Sequence, residues 1–104
     1  MIFELTRRFP LEEKYGLTSQ ILNSSNSVIA NIAEQHGRYY FADKVWVLYI
    51  VRGEINETQS HIVCAVSRKY VTREESTELI NRYEKLSKRL NGKIKDFKNK
   101  KELI

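Results

Sequence analysis

Proline, glycine and cysteine are scarce in this sequence of 104 residues, which contains one proline, four glycines and one cysteine. Turns in sheet proteins depend on glycine and proline, so this scarcity disfavours a fold with many strands and tight turns. Disorder is disfavoured as well, because 41% of the residues are hydrophobic and can bury a core. The length leaves little room for a second core. We therefore expect one helix-rich domain over residues 1–104.

Long hydrophobic runs and a secretory signal are absent too. No apolar stretch reaches the roughly 18 residues that a membrane-spanning helix requires. Arg7 and Arg8 follow the first apolar residues, whereas a secretory signal has its positive charge first. The single cysteine, Cys64, cannot form an intramolecular disulfide, which favours a reducing compartment. These absences predict a cytoplasmic protein with no membrane partner.

Side chains suited to catalysis or metal binding are few and stand apart. His36 precedes a glycine at a predicted helix end, and His61 stands among polar neighbours. Neither has the partners that a metal site or a nucleophile relay requires, so both are predicted to lie at the surface. Cys64 has no nearby base and is predicted to be a small core residue. We therefore expect no enzymatic activity, no cofactor and no metal.

Hydrophobic spacing with a helical period predicts three long helices. They span about residues 18–36, 39–68 and 72–98, and a short helical remnant at 2–8 precedes them. Residues 99–104 are expected to form a tail. Both connections between the long helices are short, so successive helices are expected to be antiparallel neighbours. The predicted fold is all-α, an up-and-down helical bundle.

The ends of these helices carry their own signals. Thr18 is predicted to cap the first long helix by accepting a hydrogen bond from a backbone N–H of its first turn. Thr72 and Glu75 have the spacing of a capping box at the start of the last helix. Gly92 could end that helix early, but the apolar stripe resumes beyond it, so a continuous helix is preferred.

The middle of the second long helix, residues 46–51, is apolar around its whole circumference. A strand would also suit six such residues, but the helical stripe continues on both sides and favours a helix. Two neighbouring helices of one chain cannot cover every side of this segment. We therefore predict a homo-oligomer in which Trp46, Tyr49 and Ile50 lie at the subunit interface.

Positive charge is concentrated near the C-terminus. The net charge is +5, and residues 82–101 contribute +7 through nine Lys or Arg and two acidic residues, so the remainder sums to −2. A ribbon of four basic residues falls within one sector of the last helix, beside its apolar stripe: Arg82, Lys85, Arg89 and Lys93. This ribbon predicts nucleic-acid binding. The alternative is that its side chains only keep the helix soluble.

Several short motifs, taken together, resemble a known family. They are Arg7-Arg8-Phe9-Pro10, Glu13, Gly16-Leu17-Thr18-Ser19-Gln20, Asn31-Ile32-Ala33-Glu34, Arg38, Gly53 and Glu57. In order and spacing, over nearly the whole chain, they are similar to the four-helix-bundle proteins encoded in intervening sequences of bacterial 23S ribosomal RNA. That family includes the accessory variability determinant of diversity-generating retroelements.

The resemblance implies an antiparallel four-helix protomer, assembly into a homopentamer and no enzymatic activity. For the retroelement branch it implies binding to RNA and to a reverse transcriptase. The sequence has Leu22, Asn23 and Ile29 where the family has two arginines and a proline, and Gln35 and Glu54 replace a glycine and a serine. Most of the family's first helix is also absent, which predicts a groove that is either filled or exposed.

Two functions remain open from the sequence. The first is a non-catalytic accessory oligomer that binds RNA or DNA through basic surfaces, with a reverse transcriptase or another protein as partner. The second is a structural or protein-interaction oligomer with no nucleic-acid role. The resemblance and the concentrated positive charge favour the first function, and the missing arginines of the first long helix favour the second.

Overall fold

The computed structural model describes residues 1–100, and these residues form four α-helices and no strand. Helix α1 is Ile2–Thr6, α2 is Leu17–Gly37, α3 is Phe41–Ser67 and α4 is Arg73–Lys98, and a 3-10 turn lies at Leu11–Glu13. The predicted all-α class and the three long helices are confirmed, each within two residues at either end. Of the predicted tail, residues 101–104 lie outside the described part of the chain.

Helix α2 begins one residue earlier than predicted, and the prediction that Thr18 caps it was wrong. Gly16 holds the N-cap position. The Glu13 carboxylate accepts a hydrogen bond from the Leu17 backbone N–H at 3.3 Å, which satisfies one of the free amides of the first turn. A Cβ added at Gly16 would lie 3.0 Å from that carboxylate. Glu13 reaches this place because of the 3-10 turn, which the sequence pattern did not predict.

A tight turn joins α3 to α4. Lys69 adopts a left-handed backbone conformation with φ of 64°, and the N–H of Tyr70 donates to the carbonyl of Ala65 at 2.9 Å. This is the Schellman arrangement that ends many helices, with lysine in the place where glycine is usual. Beyond the turn, the predicted capping box of Thr72 and Glu75 is confirmed. Helix α4 also continues through Gly92, as expected.

Helix α3 lies at the centre, because α2 and α4 each pack against it and, within the described residues, not against each other. The α3 and α4 contacts run in opposite order along the two helices. Phe41 stacks on Phe97 near one end, with ring centroids 5.6 Å apart. Toward the other end, the Gln59 amide donates to the Glu84 carboxylate at 2.9 Å. Pairing of this kind brings the start of α3 beside the end of α4.

Small hydroxyl residues let α2 approach α3 closely. The Thr58 hydroxyl lies 2.8 Å from the Ser24 hydroxyl oxygen, and Ser24 donates to the Ile21 carbonyl at 3.3 Å. At the far end of α2, the Lys44 ammonium donates to the Gln35 carbonyl at 2.9 Å. Burying hydroxyl groups costs little when they are bonded in this way. Packing therefore offsets the weak helix propensity of the serine and asparagine residues in α2.

The core forms two clusters along a molecule measuring 54 × 25 × 16 Å. One cluster gathers α1, the start of α2, the end of α3 and the start of α4, and it contains Ile2, Leu5, Phe9, Leu17, Ile21, Ile62, Ala65, Val71 and Leu79. The other gathers the end of α2, the start of α3 and the end of α4, and it contains Val28, Val45, Leu48, Val51, Ile55, Leu90, Ile94 and Phe97. The two clusters divide the molecule into two halves.

The apolar middle of α3 is covered on one side only. Val47, Leu48 and Val51 are buried by the chain's own α2 and α4, and Val51 is 0% exposed. Trp46, in contrast, is 60% exposed, and Tyr49 and Ile50 are half-buried. The chain therefore leaves part of this segment open, and the three residues predicted to lie at a subunit interface are those that it covers least.

Candidate nucleic-acid interface

The four residues of the predicted ribbon are all exposed on α4, but their surroundings differ. Arg82 forms an ion pair with Glu78 at 2.7 Å, and its guanidinium also contacts the Met1 sulfur. Lys85, Arg89 and Lys93 have no carboxylate partner within residues 1–100. Since an ion pair neutralises much of the local field, the positive potential of the ribbon strengthens toward the C-terminal end of α4.

At that end, basic side chains gather over two stacked phenylalanine rings. The Lys93 ammonium lies 5.3 Å from the centre of the Phe97 ring, and the Lys44 ammonium lies 5.9 Å from the same centre. The Lys100 ammonium lies 5.3 Å from the Phe41 ring and 5.5 Å from Phe97. Ring faces attract cations without neutralising them. The three ammonium groups therefore keep their charge for an external anion.

A tyrosine beside them holds two further cations. The Arg52 guanidinium lies 4.8 Å from the Tyr49 ring centre, and the Lys98 ammonium lies 5.2 Å from it. Arg52 also donates to the Asn91 side-chain carbonyl at 3.3 Å, which joins α3 to α4. We call this whole group the basic end. It comprises the cations Lys44, Arg52, Lys93, Lys98 and Lys100 and the rings Phe41, Tyr49 and Phe97.

Charge divides unevenly between the two halves of the molecule. Residues 28–54 and 85–100, which surround the basic end, contain ten Lys or Arg and four Asp or Glu, a net charge of +6. Residues 1–27 and 55–84 contain seven Lys or Arg and eight Asp or Glu, a net charge of −1. The fold thus converts a charge excess near the C-terminus of the sequence into a molecule with one strongly positive half.

Carboxylates in the other half are held by specific partners. Glu13 accepts hydrogen bonds from the Tyr70 hydroxyl at 2.9 Å and from the Arg68 guanidinium. These bonds, that of Tyr70 above all, hold the pKa of the Glu13 carboxyl below its usual range, and the same bond raises the pKa of the Tyr70 hydroxyl. The network ties the 3-10 turn to the end of α3.

A second carboxylate in this half is held by an ion pair and by a helix cap. Glu75 pairs with Arg8 at 2.8 Å and accepts the capping-box bonds of Thr72. Hydrogen bonding to Arg8 first, and to Thr72 second, lowers the pKa of the Glu75 carboxyl to about 2. We call this part of the molecule the ion-paired end. It comprises Arg8, Glu13, Arg68, Tyr70, Thr72 and Glu75.

The two histidines occupy different environments. His36 is exposed, as predicted. The prediction for His61 was wrong, because its side chain is only 17% exposed and its Nε2 lies 3.5 Å from a Glu57 oxygen. Cys64 is half-buried and packs against the first core cluster, in keeping with its predicted core role. Within residues 1–100, no three side chains among His, Cys, Asp and Glu come together as a metal site.

A comparison with protein families identifies the chain's relatives. The family model of the 23S rRNA-intervening sequence protein matches residues 1–92. The chain belongs to that family. Lys44 and Arg52 lie inside the matched region, whereas Lys93, Lys98 and Lys100 follow it. No curated protein matches the chain with significance. None of the helices in residues 1–100 combines the length and apolarity needed to cross a membrane.

Of the five cations of the basic end, the sequence predicted only Lys93 as a site residue. Lys44 and Arg52 lie on α3, about 40 residues from the ribbon along the chain, and only the pairing of α3 with α4 brings them to it. Phe41 and Tyr49 fall at apolar positions, and such positions usually indicate core or interface. A basic residue three positions after each of these rings, Lys44 and Arg52, is the one local signal that could have pointed to the site.

Proposed function

We propose that this protein is a non-catalytic accessory protein that binds RNA or DNA through its basic end. The observation that carries the proposal is the set of five cations held on aromatic rings, none of which has a carboxylate partner within residues 1–100. A polyanion is the ligand that such a site fits best. Membership of a family named for an intervening sequence in ribosomal RNA is consistent with a nucleic-acid partner.

The contacts are expected to be with phosphates and not with base edges. The rings of Phe41, Tyr49 and Phe97 already carry cations on or near their faces, so they offer no free platform for stacking a base. Lysine contacts to phosphate position a nucleic acid without reading its sequence. The proposed binding is therefore weakly selective and strongly dependent on salt. A reverse transcriptase or another protein would add the selectivity, and the proposed setting is the cytoplasm.

Assembly is part of the same proposal. We infer an up-and-down antiparallel protomer that forms a homo-oligomer, with a pentamer as the state that the family resemblance favours. Support comes from Trp46, which is 60% exposed in the apolar segment of α3, and from the neighbouring half-buried Tyr49 and Ile50. A ring repeats the basic end once per subunit, so weak phosphate contacts would combine into useful affinity.

A titration with RNA tests the binding directly. The purified protein is titrated into a labelled single-stranded RNA, and into a DNA duplex, in buffers of roughly 50 mM and 200 mM salt. Counterion release from several phosphates should weaken binding by orders of magnitude between the two buffers. Absence of binding at the lower salt would contradict the proposal and leave the structural or protein-interaction oligomer as the function.

Light scattering tests the assembly. The wild-type protein should scatter as a multimer at micromolar concentration, and Trp46→Asp should shift it to the monomer while circular dichroism stays helical, because a charge in a closed interface is costly. Tyr15→Asp is the matched control, since Tyr15 is 89% exposed and lies outside the long helices. A wild-type monomer, or a Trp46→Asp multimer, would contradict this part of the proposal.

A further inference from the structure

An open apolar groove runs between α2 and α4, on the side of the molecule away from the α3 contacts. Its volume is about 690 Å³. Met1, Ile2 and Phe3 close one end, and the walls are formed by Leu22, Ser25, Asn26, Val28 and Ile29 of α2 and by Leu79, Arg82, Tyr83 and Leu86 of α4. The groove that the family resemblance predicted is therefore exposed within residues 1–100.

The groove has the dimensions of a helix-binding surface. Its wall on α2 runs from residue 22 to residue 29, which at 1.5 Å per residue is about 10 Å, or two helical turns. Ile29 is 70% exposed on this wall, and Leu22 and Leu86 are half-buried. An amphipathic helix with apolar residues three and four positions apart would cover them. An apolar floor of this kind does not suit a phosphate backbone.

The two edges of the groove differ in charge. On the α4 side, the edge carries the basic ribbon, of which Lys85 and Arg89 have no carboxylate partner within residues 1–100. On the α2 side, residues 18–33 contain no charged residue at all. A helix that fits the groove must therefore carry acidic residues on one flank and neutral residues on the other.

The chain itself contains such a helix face. Trp46 and Ile50 lie within about 40° of each other on the outer side of α3, at 100° per residue, and the acidic Glu57 falls between them in direction, about two to three turns further along the helix. On one flank of these residues are Asp43 and Glu54, and on the other flank are the uncharged residues Ala42, Tyr49, Asn56 and Ser60, with Arg52 and Lys98 on the Tyr49 ring. Trp46 is 60% exposed and Ile50 is half-buried on this face, and the acidic residues beside them match the basic edge of the groove.

We propose that the outer face of α3 in one copy of this protein docks into the α2–α4 groove of the next copy. The inference rests on the proposed homo-oligomer and names the two surfaces that meet in it. The surfaces differ, so the contact is heterologous, and repeating it produces a ring if the rotation closes. In this arrangement the residues of the ribbon have two roles. Lys85 and Arg89 contribute to the contact between copies, and Lys93 belongs to the basic end, which binds nucleic acid.

Cysteine cross-linking tests the contact. In a Cys64→Ser background, the double variant Ile29→Cys with Ile50→Cys should give a ladder of covalent multimers when treated with a short bis-maleimide. Each single variant should stay monomeric on a denaturing gel, because the two positions meet only across a heterologous interface. Tyr15→Cys with Ile50→Cys is the matched control and should give no ladder.

The outcomes separate this inference from the proposed assembly. If light scattering shows a wild-type monomer, the homo-oligomer and the inference both fail. If the protein is a multimer of unchanged size but the double variant does not cross-link, or Ile50→Cys alone cross-links to itself, the inference fails and the homo-oligomer stands.

Charge reversal tests the matching flanks. Lys85→Glu with Arg89→Glu, and separately Glu54→Lys with Glu57→Lys, should each convert the multimer to a folded monomer by placing like charges at the contact. All four substitutions in one chain restore opposite charges and should restore the multimer. A four-substitution protein that is helical by circular dichroism yet monomeric would overturn the role of the charges and with it the chosen partner.

Discussion

The ion-paired end and the basic end use charge for opposite purposes. At the ion-paired end, each carboxylate is bound by a guanidinium and by a group near a helix start, and their pKa values are lowered. At the basic end, five cations lie over aromatic rings and have no acidic partner within residues 1–100. Paired charge fixes the fold, whereas unpaired charge remains available to a ligand.

The largest expected effect is on RNA affinity, and it should differ between charge reversals in the two halves. Lys93→Glu, Lys98→Glu and Lys100→Glu together should weaken RNA binding by about 100-fold or more at low salt, since three phosphate contacts are replaced by repulsion. Filter binding measures the change. The matched control makes the same change in net charge at exposed positions in the other half that have no carboxylate partner within residues 1–100. Its substitutions are Arg7→Glu, Lys14→Glu and Arg73→Glu.

That control should lose less than about tenfold in affinity, because the distance between the halves exceeds the screening length at moderate salt. Equal losses in the two triple variants would mean that only net charge matters and that the basic end is not a site. Circular dichroism must show that both variants remain helical.

Removing a carboxylate at the ion-paired end should affect stability and leave binding unchanged. Glu13→Gln weakens the bonds from Tyr70 and Arg68 and the cap on the Leu17 amide. We expect a fall in Tm of several degrees, measured by thermal unfolding at one protein concentration because assembly shifts Tm. Tyr70→Phe should cost less, and the double variant should cost less than the sum, as expected for residues of one network.

The ion-paired end should also make stability depend on pH. The Glu75 carboxyl has its pKa lowered in the folded protein from 4.5 to about 2. Its contribution to stability is therefore complete above pH 4.5 and is lost as the pH falls toward 2. Thermal unfolding measured between pH 6 and pH 2.5 should show Tm falling through this window, and Glu75→Gln should make the fall shallower. An unchanged slope in Glu75→Gln would show that other carboxylates control it.

The smallest expected effect lies in the turn that joins α3 to α4. Lys69 holds φ of 64°, a region that costs a residue with a side chain roughly 1 kcal/mol or more. Lys69→Gly removes that cost. Glycine also increases the conformational entropy of the unfolded chain, which offsets part of the gain in the free energy of unfolding. The net expectation is a stabilisation of about 0.5 kcal/mol, seen as a small rise in Tm. Lys69→Ala is the control and should not raise it.

The sequence predicted the features that depend on local spacing and missed those that depend on distant partners. Helix periods and the capping box of Thr72 and Glu75 are local signals, and the structure confirms them. The cap of α2 was missed because Glu13 supplies it from a separate turn. His61 was misplaced because its burial depends on packing of α3 that spacing alone does not determine.

The candidate site shows the same division. The exposure of the four ribbon residues followed from their position on one helix. The pairing of Arg82 with Glu78, and the arrival of Lys44 and Arg52 beside α4, could be seen only once the helices were packed. Likewise, the apolar segment at 46–51 was evident in the sequence, but which of its sides the chain covers itself was not.

The buried hydroxyl pair between α2 and α3 has a consequence on the opposite side of α2. If α2 slid by one turn along α3, the larger side chain of Val28 would replace Ser24 beside Thr58 and would not fit the close approach of the two helices. The pair thus locks α2 in one register, and with it the positions of Leu22 and Ile29 on the groove wall. In the proposed assembly, the α2–α4 groove would therefore be preorganised before a second copy docks. Subunit addition should then be a rigid-body step whose rate rises with protein concentration and needs no slow rearrangement.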